Sequence, residues 1–501
     1  MLVFVAGAVL SLALPPINWW PVIFATAPLG AVLLNGAASA RQAAVTGFCF
    51  GFGYFVAAFH WIGFAFLVDA ETYLWMMPFA VGGLAAFMAL YWALAFAASH
   101  LLKHRGIPLI ASLPLAIAIA EVARGYFFTG FPWAAPGLFA DGMGGVLQLA
   151  SLIGMPGLSY WIILWGMLPC LLWRSRPFFS ARSVLPMLLL LLLPMGWFWG
   201  NWRLSTLHYD GVPDVSLLVV QPNVSQDDKW RSDNAAPMFE QLIAMSSAGT
   251  GIPTHIIWPE SALPFLIDES AAGLKRIADA LQPGQTLITG AIRREKGVTP
   301  ENDRFFTSIL EINDEGRVEE VYDKWRLVPG GEFLPLAWAL EPLGFRKVVN
   351  LPESFTAGSG PQSFDLGRAG LAGLLICYEA IFPDRLLENE KRPQWLINVT
   401  NDGWFGHSVG PYQHLAQARM RAVEQNIPIV RSANTGISAI IDGAGRYVAR
   451  SELGVETVLT KPLPQAGAKT LFGALGLLPA LLACLVASVT IAFSHTRNDR
   501  R

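Results

Sequence analysis

Long stretches of this chain carry almost no charge, and most are long enough to cross a lipid bilayer. A helix spanning the hydrocarbon core needs about 20 apolar residues, because its backbone polar groups must all be paired internally there. Ala43–Leu67, Leu74–His100, Ile107–Ala123, Gly144–Leu172, Ser183–Gly200 and Leu471–Phe493 meet or approach that length. Met1–Leu14 and Trp20–Leu34 are shorter and separated by Pro15-Pro16, which reads as two short spans or one tight hairpin. No basic residue precedes the first apolar run and no clear cleavage motif follows it, which argues against a removed signal peptide. The chain is 53% hydrophobic and 14% charged, against roughly 25% charged in ordinary soluble domains. Many of its 18 tryptophans flank the apolar runs, as interfacial belts require.

The expected organisation is a polytopic α-helical membrane bundle of about eight spans, plus an extramembrane α/β domain. Residues 1–200 form the bundle, 201–470 read like a soluble α/β protein, and 471–501 form a last span with a basic tail. Short connections alternate in charge. Arg41, then Lys103 and Arg105, then Arg174, Arg176 and Arg182, and finally Arg497, Arg500 and Arg501 mark one side, whereas Asp69 and Glu71 mark the other. Basic connections stay in the cytoplasm. Both termini are therefore expected inside, with the α/β domain on the outer face of a bacterial inner membrane, in the periplasm. A net charge of −2 gives no reason to expect nucleic acid as a partner. Within the spans, Glu121 and Arg124 lie three apart and can pair on one helical face, and His60 sits in an apolar run. For each, a satisfied interhelical hydrogen bond is the plainer reading.

The outer domain alternates short apolar strands with helical segments. Val215–Gln221, Thr254–Trp258, Thr286–Ile292, Phe305–Ile312, Ala369–Ile376, Trp395–Thr400, Pro428–Asn434 and Ile437–Ile441 have strand composition. Ala235–Ser247, Ala271–Leu281, Asp384–Glu390 and Tyr412–Asn426 read as helices, and the order favours a layered α/β sandwich. No dinucleotide fingerprint, P-loop, HExxH or metal-spaced cluster is found, so no metal or organic cofactor is indicated. Of the four cysteines, Cys49, Cys170 and Cys484 fall within spans and only Cys377 lies in the outer domain, which excludes an internal disulfide there.

In three places a reactive side chain follows directly on an apolar strand. His255–Pro259 runs into Glu260, Val318–Tyr322 through Asp323 into Lys324, and Leu371–Ile376 into Cys377-Tyr378-Glu379. Strand ends at one edge of a sheet are where α/β folds gather their chemistry. Each element alone is weak, since a carboxylate at a strand end is more often solvated or a helix cap, but together they form a nucleophilic set. Thiolate is the nucleophile, Glu260 a general base, and Lys324 with the backbone N–H groups after Cys377 the stabilisers of a tetrahedral oxyanion.

Trp258–Ser261, the Asp-Lys-Trp-Arg-Leu-Val-Pro-Gly-Gly-Glu run at Asp323–Glu332, Cys377–Glu379, Asn401–Gly406 and Arg431–Ser438 together resemble the nitrilase, or carbon–nitrogen hydrolase, superfamily. With spans on both sides, the chain resembles its apolipoprotein N-acyltransferase family over nearly all its length. That resemblance implies an α-β-β-α sandwich seated on a membrane bundle. It makes Glu260 the general base, Lys324 the catalytic lysine and Cys377 the nucleophile. Trp230, Glu332, Tyr378 and Glu379 fall at further positions needed for activity. It also implies a phospholipid acyl donor, a thioester acyl-enzyme, and as acceptor the α-amine of a diacylglyceryl-cysteine at an apolipoprotein N-terminus. Arg326 and Gly330 depart from the His and Phe of the family pattern, and Gly330-Gly331 is expected to make that loop more pliable. Trp325, Phe333, Trp404 and Phe405 read equally as an acyl or lipoprotein path and as ordinary packing. Two alternatives stay open: a membrane-tethered amidase whose final acceptor is water, and a non-enzymatic transporter or scaffold. A transporter calls for paired broken helices near the midplane, and no convincing pair is seen.

Overall fold

The computed structural model describes residues 1–174, 184–225, 232–263, 265–299, 302–343, 354–383, 386 and 392–499. Among these, four apolar segments are long enough to cross a membrane: Ala40–Leu67, Ala70–His104, Leu109–Thr129 and Gly144–Cys170. Leu2–Ala13, Trp20–Asn35 and Leu478–Phe493 are apolar but shorter, and Val184–Thr206 forms a further helix. The predicted long spans thus correspond to helices, with three differences in detail. The third span is α-helical only to Phe59 and continues as a 3-10 segment, His60–Leu67. His60 is exposed at that junction, its Nδ1 2.8 Å from the Ala57 carbonyl, so it makes a local contact and not an interhelical one. The last run is two helices, Leu471–Leu475 and Leu478–Asp499, broken at Gly476 with φ +58°.

Small residues let the helices meet backbone to backbone. A Cβ placed on Gly53 would lie 2.0 Å from the Phe4 carbonyl oxygen, and one on Gly7 1.9 Å from that of Phe50. Such contacts replace the hydrophobic drive that lipid removes. Glu121 and Arg124 form a buried ion pair on helix Leu109–Tyr126, and Trp92 Nε1 from the neighbouring helix donates to Glu121 at 2.8 Å. Arg124 Nη1 donates onward to the carbonyls of Phe131 (2.5 Å) and Trp133 (2.8 Å), fixing the loop that faces the α/β domain.

That domain contains two six-stranded sheets. The first runs β12-β1-β2-β3-β4-β5, with β1 Gly211–Gln221, β2 His255–Ile257, β3 Thr286–Glu295, β4 Arg304–Ile312, β5 Val318–Asp323 and β12 Thr457–Pro464. The second runs β11-β10-β9-β8-β7-β6, with β6 Ser363–Asp365, β7 Leu371–Ile376, β8 Trp395–Thr400, β9 Ile429–Ala433, β10 Ala439–Ile441 and β11 Tyr447–Arg450. Strand alternation builds three layers of core. Leu217, Val219, Ile257 and Ile288 meet Leu374, Ile376, Ile397 and Val399 between the sheets. Leu218, Val220 and Leu287 pack outward on helices Ala235–Ser246 and Ala271–Ala280. Leu375, Leu396 and Ile429 pack outward on helix Gly410–Gln425. This is the α-β-β-α sandwich expected.

Three strands escape the sequence pattern: β6, β11 and β12. β12 contains Lys461 and two prolines, a composition tolerated because it closes the edge of its sheet. Ala369 belongs to a turn before β7 and not to the strand. Apart from Leu386, the predicted helix Asp384–Glu390 lies outside the described residues, as do the side chains of Arg174, Arg176, Arg182, Arg500 and Arg501.

Helix Gly410–Gln425 serves two cores. Leu415, Ala418 and Ala422 face the second sheet, while Ala416, Met420 and Val423 join the bundle core. Its polar residues bind the bundle as well: Trp133 Nε1 donates to Gln413 Oε1 (2.8 Å), Met155 N–H to Glu424 Oε1 (2.7 Å), and Arg419 pairs with Asp141 at 2.8 Å.

Gly53→Val tests the backbone-to-backbone packing. Overfilling a packed contact costs about 1–3 kcal/mol, and the obstacle here is main chain. The thermal midpoint of the detergent-solubilised variant should fall by several degrees, read by a tryptophan fluorescence melt; an unchanged melt contradicts the close approach.

Candidate active site

The three strand ends picked out in the sequence converge. Glu260 follows β2, Lys324 follows β5 in the same sheet, and Cys377 follows β7 in the facing sheet. Lys324 is 1% exposed and lies between two carboxylates, its Nζ 3.2 Å from Glu260 Oε1 and 2.7 Å from Glu332 Oε1. The remaining oxygens are also occupied: Asn401 N–H donates to Glu260 Oε2 (2.8 Å) and Val328 N–H to Glu332 Oε2 (2.7 Å). Burial works against the charged lysine, but Glu260 and Glu332 more than reverse it and hold the ammonium well above the ordinary lysine range. Glu332 is itself pushed up, by burial first. Burial, then the Glu260 carboxylate, also pushes the Cys377 thiol up, with Lys324 opposing. The resting thiol is therefore protonated, and to act as a nucleophile it would need a base at hand.

Cys377 opens a 3-10 turn, Cys377–Ile381, with φ +49°, a left-handed conformation costly for a residue with a Cβ. Glu379 holds the turn from beneath. It accepts from Ile376 N–H (2.7 Å), Trp325 N–H (2.9 Å), Arg326 N–H (3.2 Å) and the Tyr322 hydroxyl (2.8 Å), tying the elbow to the lysine loop. Burial pushes the Glu379 carboxyl up to about 7 even against these donors. Tyr378 turns the other way, into the bundle core, where its hydroxyl donates to the Gly130 carbonyl at 2.5 Å and its ring stacks on Phe131. Cys377 thus packs in the core between the sheets and its neighbour Tyr378 in the core of the bundle.

Behind the elbow lies a buried polar group that sequence reasoning did not assign. His414 Nε2 lies 3.0 Å from the Cys377 carbonyl oxygen, and its Nδ1 2.8 Å from Asp402 Oδ1. Arg431 donates to Asp402 Oδ2 (2.7 Å) and to Asn398 Oδ1 (2.5 Å). Against the upward push of burial, Arg431 and then His414 hold the Asp402 carboxyl at about 2. The only signals were the Asn401–Gly406 and Arg431–Ser438 runs. His414 sits in a polar helix whose complete burial could not be read from its composition. Cys377, Asp402 and His414 offer sulfur, oxygen and nitrogen within 4.8 Å of one another, the spacing of a metal site. The donor set does not suit a cation, because both imidazole nitrogens and both Asp402 oxygens are engaged and the Arg431 guanidinium already supplies the positive charge.

Of the other predicted positions, Phe333 and Trp404 are half-buried, and Phe405 packs edge-on against Trp61 at 4.4 Å, so it joins the sandwich to the bundle. Trp230 lies outside the described residues. The Gly330 loop is more closed than expected. Gly330, at φ +78°, donates to the Phe333 carbonyl (2.7 Å), and the Glu332 N–H to that of Val328 (2.9 Å). The Arg326 guanidinium lies over the rings of Phe382 (3.7 Å) and Trp325 (4.4 Å), in place of the histidine of the family pattern.

A double-sheet sandwich with a carboxylate, an ammonium and a thiol at its strand ends, packed on apolar helices, defines a membrane-associated enzyme of the carbon–nitrogen hydrolase type. Residues 220–471 match the carbon–nitrogen hydrolase model, and residues 6–168 match the apolipoprotein N-acyltransferase N-terminal domain. A Rhodopseudomonas palustris protein named apolipoprotein N-acyltransferase is 41% identical over 98% of this chain and 93% of its own length. One of the same name from Bradyrhizobium diazoefficiens is 40% identical over 99% and 94%, and one from Brucella melitensis 38% over 92% and 89%. The chain belongs to the apolipoprotein N-acyltransferase family and is an acyltransferase.

Removing the ammonium leaves two carboxylates facing each other without a counter-charge. Breaking such a buried pair costs about 3–5 kcal/mol, so Lys324→Met should lose both activity and stability. Adding Glu332→Gln should restore much of the thermal midpoint and none of the activity. A double variant no more stable than Lys324→Met would contradict the electrostatic account.

Proposed function

We propose that this chain transfers a fatty acyl group from a phospholipid, through a thioester on Cys377, to the α-amine of the diacylglyceryl-cysteine at an apolipoprotein N-terminus. This is the last step of bacterial lipoprotein maturation. Glu260 takes the thiol proton as Sγ attacks the ester carbonyl carbon. The π electron pair moves onto the carbonyl oxygen, beside Lys324. Collapse expels the lysophospholipid alkoxide, which leaves with the proton held on Glu260. In the second half the lipoprotein amine attacks the thioester and gives its proton to Glu260. The amide forms, and Cys377 leaves as thiolate and recovers that proton. Donor product departs before acceptor binds, so the kinetics are ping-pong.

The observation that carries this reading is the place of the nucleophile: Cys377 packs between the sheets while Tyr378 packs in the bundle. An acyl chain approaching along the bundle need not enter water, and each CH₂ kept apolar is worth about 0.8 kcal/mol. Exclusion of water also protects the thioester until an amine arrives. The orientation follows the loop basicity. The 127–149 connection meets the sandwich, so Lys103 and Arg105, at the opposite end of helix Leu109–Tyr126, lie on the far face. We assign that face to the cytoplasm, both termini with it, and the sandwich to the periplasmic side of the inner membrane.

Intact-mass analysis after incubation with phospholipid alone tests the reaction type. A hydroxylamine-labile acyl adduct on Cys377 is expected, and its absence contradicts the thioester. Cys377→Ser and Cys377→Ala should abolish transfer while membrane insertion persists; near-normal acylation by either would remove Cys377 as nucleophile. Loss of general-base help typically costs about 10²–10⁴-fold, so Glu260→Gln should slow adduct formation by that order. Adduct formation at the wild-type rate would exclude Glu260 as the base.

A further inference from the structure

His414, Asp402 and Arg431 are completely or almost completely buried, at 0%, 1% and 0% exposure, and none has a part in the chemistry above. Placing three ionisable groups out of water is costly unless each is paired, and here they pair with one another and with the backbone of the nucleophile. The geometry points to what they accomplish. A carbonyl oxygen can only accept, so His414 Nε2, 3.0 Å from the Cys377 carbonyl, carries a hydrogen whatever the charge of the ring. In a planar trans peptide the C=O and the next N–H point in opposite directions. Drawing the Cys377 carbonyl onto His414 therefore turns the Tyr378 N–H toward the opposite face of the elbow. An unpinned peptide could rotate about the Cα–C bond of Cys377 and the N–Cα bond of Tyr378, and the N–H would turn with it.

We propose that His414 is a positioning residue for acyl transfer: its Nε2–H locks the Cys377–Tyr378 peptide so that the Tyr378 N–H is aimed at the oxyanion formed on the acyl carbonyl. Asp402 and Arg431 hold the ring in place, Asp402 through Nδ1 and Arg431 through Asp402, with Arg431 Nη2 itself 3.2 Å from Nδ1. The Tyr378 hydroxyl bond to Gly130 fixes the same residue from the bundle side. The proposal rests on the thioester reading, since it concerns the tetrahedral intermediates of that route.

The test compares two reactions of one sulfur in the full-length, detergent-solubilised chain. Acylation by phospholipid passes through an oxyanion. Alkylation by iodoacetamide displaces iodide at a saturated carbon and forms none. Removing one oxyanion donor costs about 10²–10³-fold, so His414→Leu should slow acyl-adduct formation by that order while alkylation keeps its wild-type rate. His414→Gln, whose side-chain amide can still donate near the Nε2 position, should recover most of the acylation rate, with the loss in His414→Leu falling on kcat and not on KM. Should His414→Leu give too little folded protein, His414→Asn, which stops short of the carbonyl, takes its place. Acylation and alkylation falling together would overturn the proposal, because the nucleophile itself would then be displaced. Unchanged acylation in a folded variant would overturn it as well. A wild-type chain that alkylates but never loads an acyl group would overturn the thioester reading and this inference with it.

Discussion

A single buried ammonium organises the site. Lys324 sits buried between Glu260 and Glu332, and each carboxylate uses its second oxygen to accept from a backbone N–H, Asn401 for one and Val328 for the other. Because these three side chains are buried, every charge there acts strongly on its neighbours. Burial first, and then the Glu260 carboxylate, make the thiol hold its proton more tightly than usual, and burial does the same for Glu332 against the pull of Lys324. In the mechanism proposed above, the Lys324 ammonium is the positive charge that a developing oxyanion would meet.

Around this centre the structure solves a second problem, that of keeping a strained cysteine in place. The elbow is tied on three sides by groups from different parts of the chain: Glu379 to the lysine loop, His414 to the helix shared by both cores, and Tyr378 to Gly130 in the bundle. Arg124 extends the last tie, since it fixes the carbonyls of Phe131 and Trp133 in the loop that carries Gly130. An ion pair set among the apolar helices therefore contributes to the shape of the site, although neither member approaches the sulfur.

Much of this was legible in the sequence. Apolar run length located the long membrane helices, β-branched and aromatic composition located most strands, and the strand ends that run into Glu260, Lys324 and Cys377 marked the residues that the fold brings together. What escaped notice did so for definable reasons. β12 carries prolines because edges tolerate them, so its composition resembled a linker. The last apolar run looked continuous because one glycine suffices to break it at residue 476. His414 was hidden because its helix has few large apolar residues, and hydrophobic periodicity cannot reveal a helix whose polar side is buried against a second domain. The Gly330 loop was expected to be pliable from glycine content alone, yet its hydrogen bonds close it. Composition describes freedom in the unfolded chain, not in the folded one.

Helix Gly410–Gln425 has a consequence for how such a protein can change over time. Its outward side belongs to the sandwich and its inward side to the bundle, so the natural place to divide the molecule is not the chain connection near residue 207. A hybrid assembled from two relatives by joining one parent's membrane half to the other's outer half would inherit a mismatched seam, with Trp133, Asp141 and Met155 facing foreign partners. To swap successfully, the outer half must bring the loop between residues 127 and 149 with it. By this criterion the loop is a part of the enzyme head that happens to be encoded among the membrane helices.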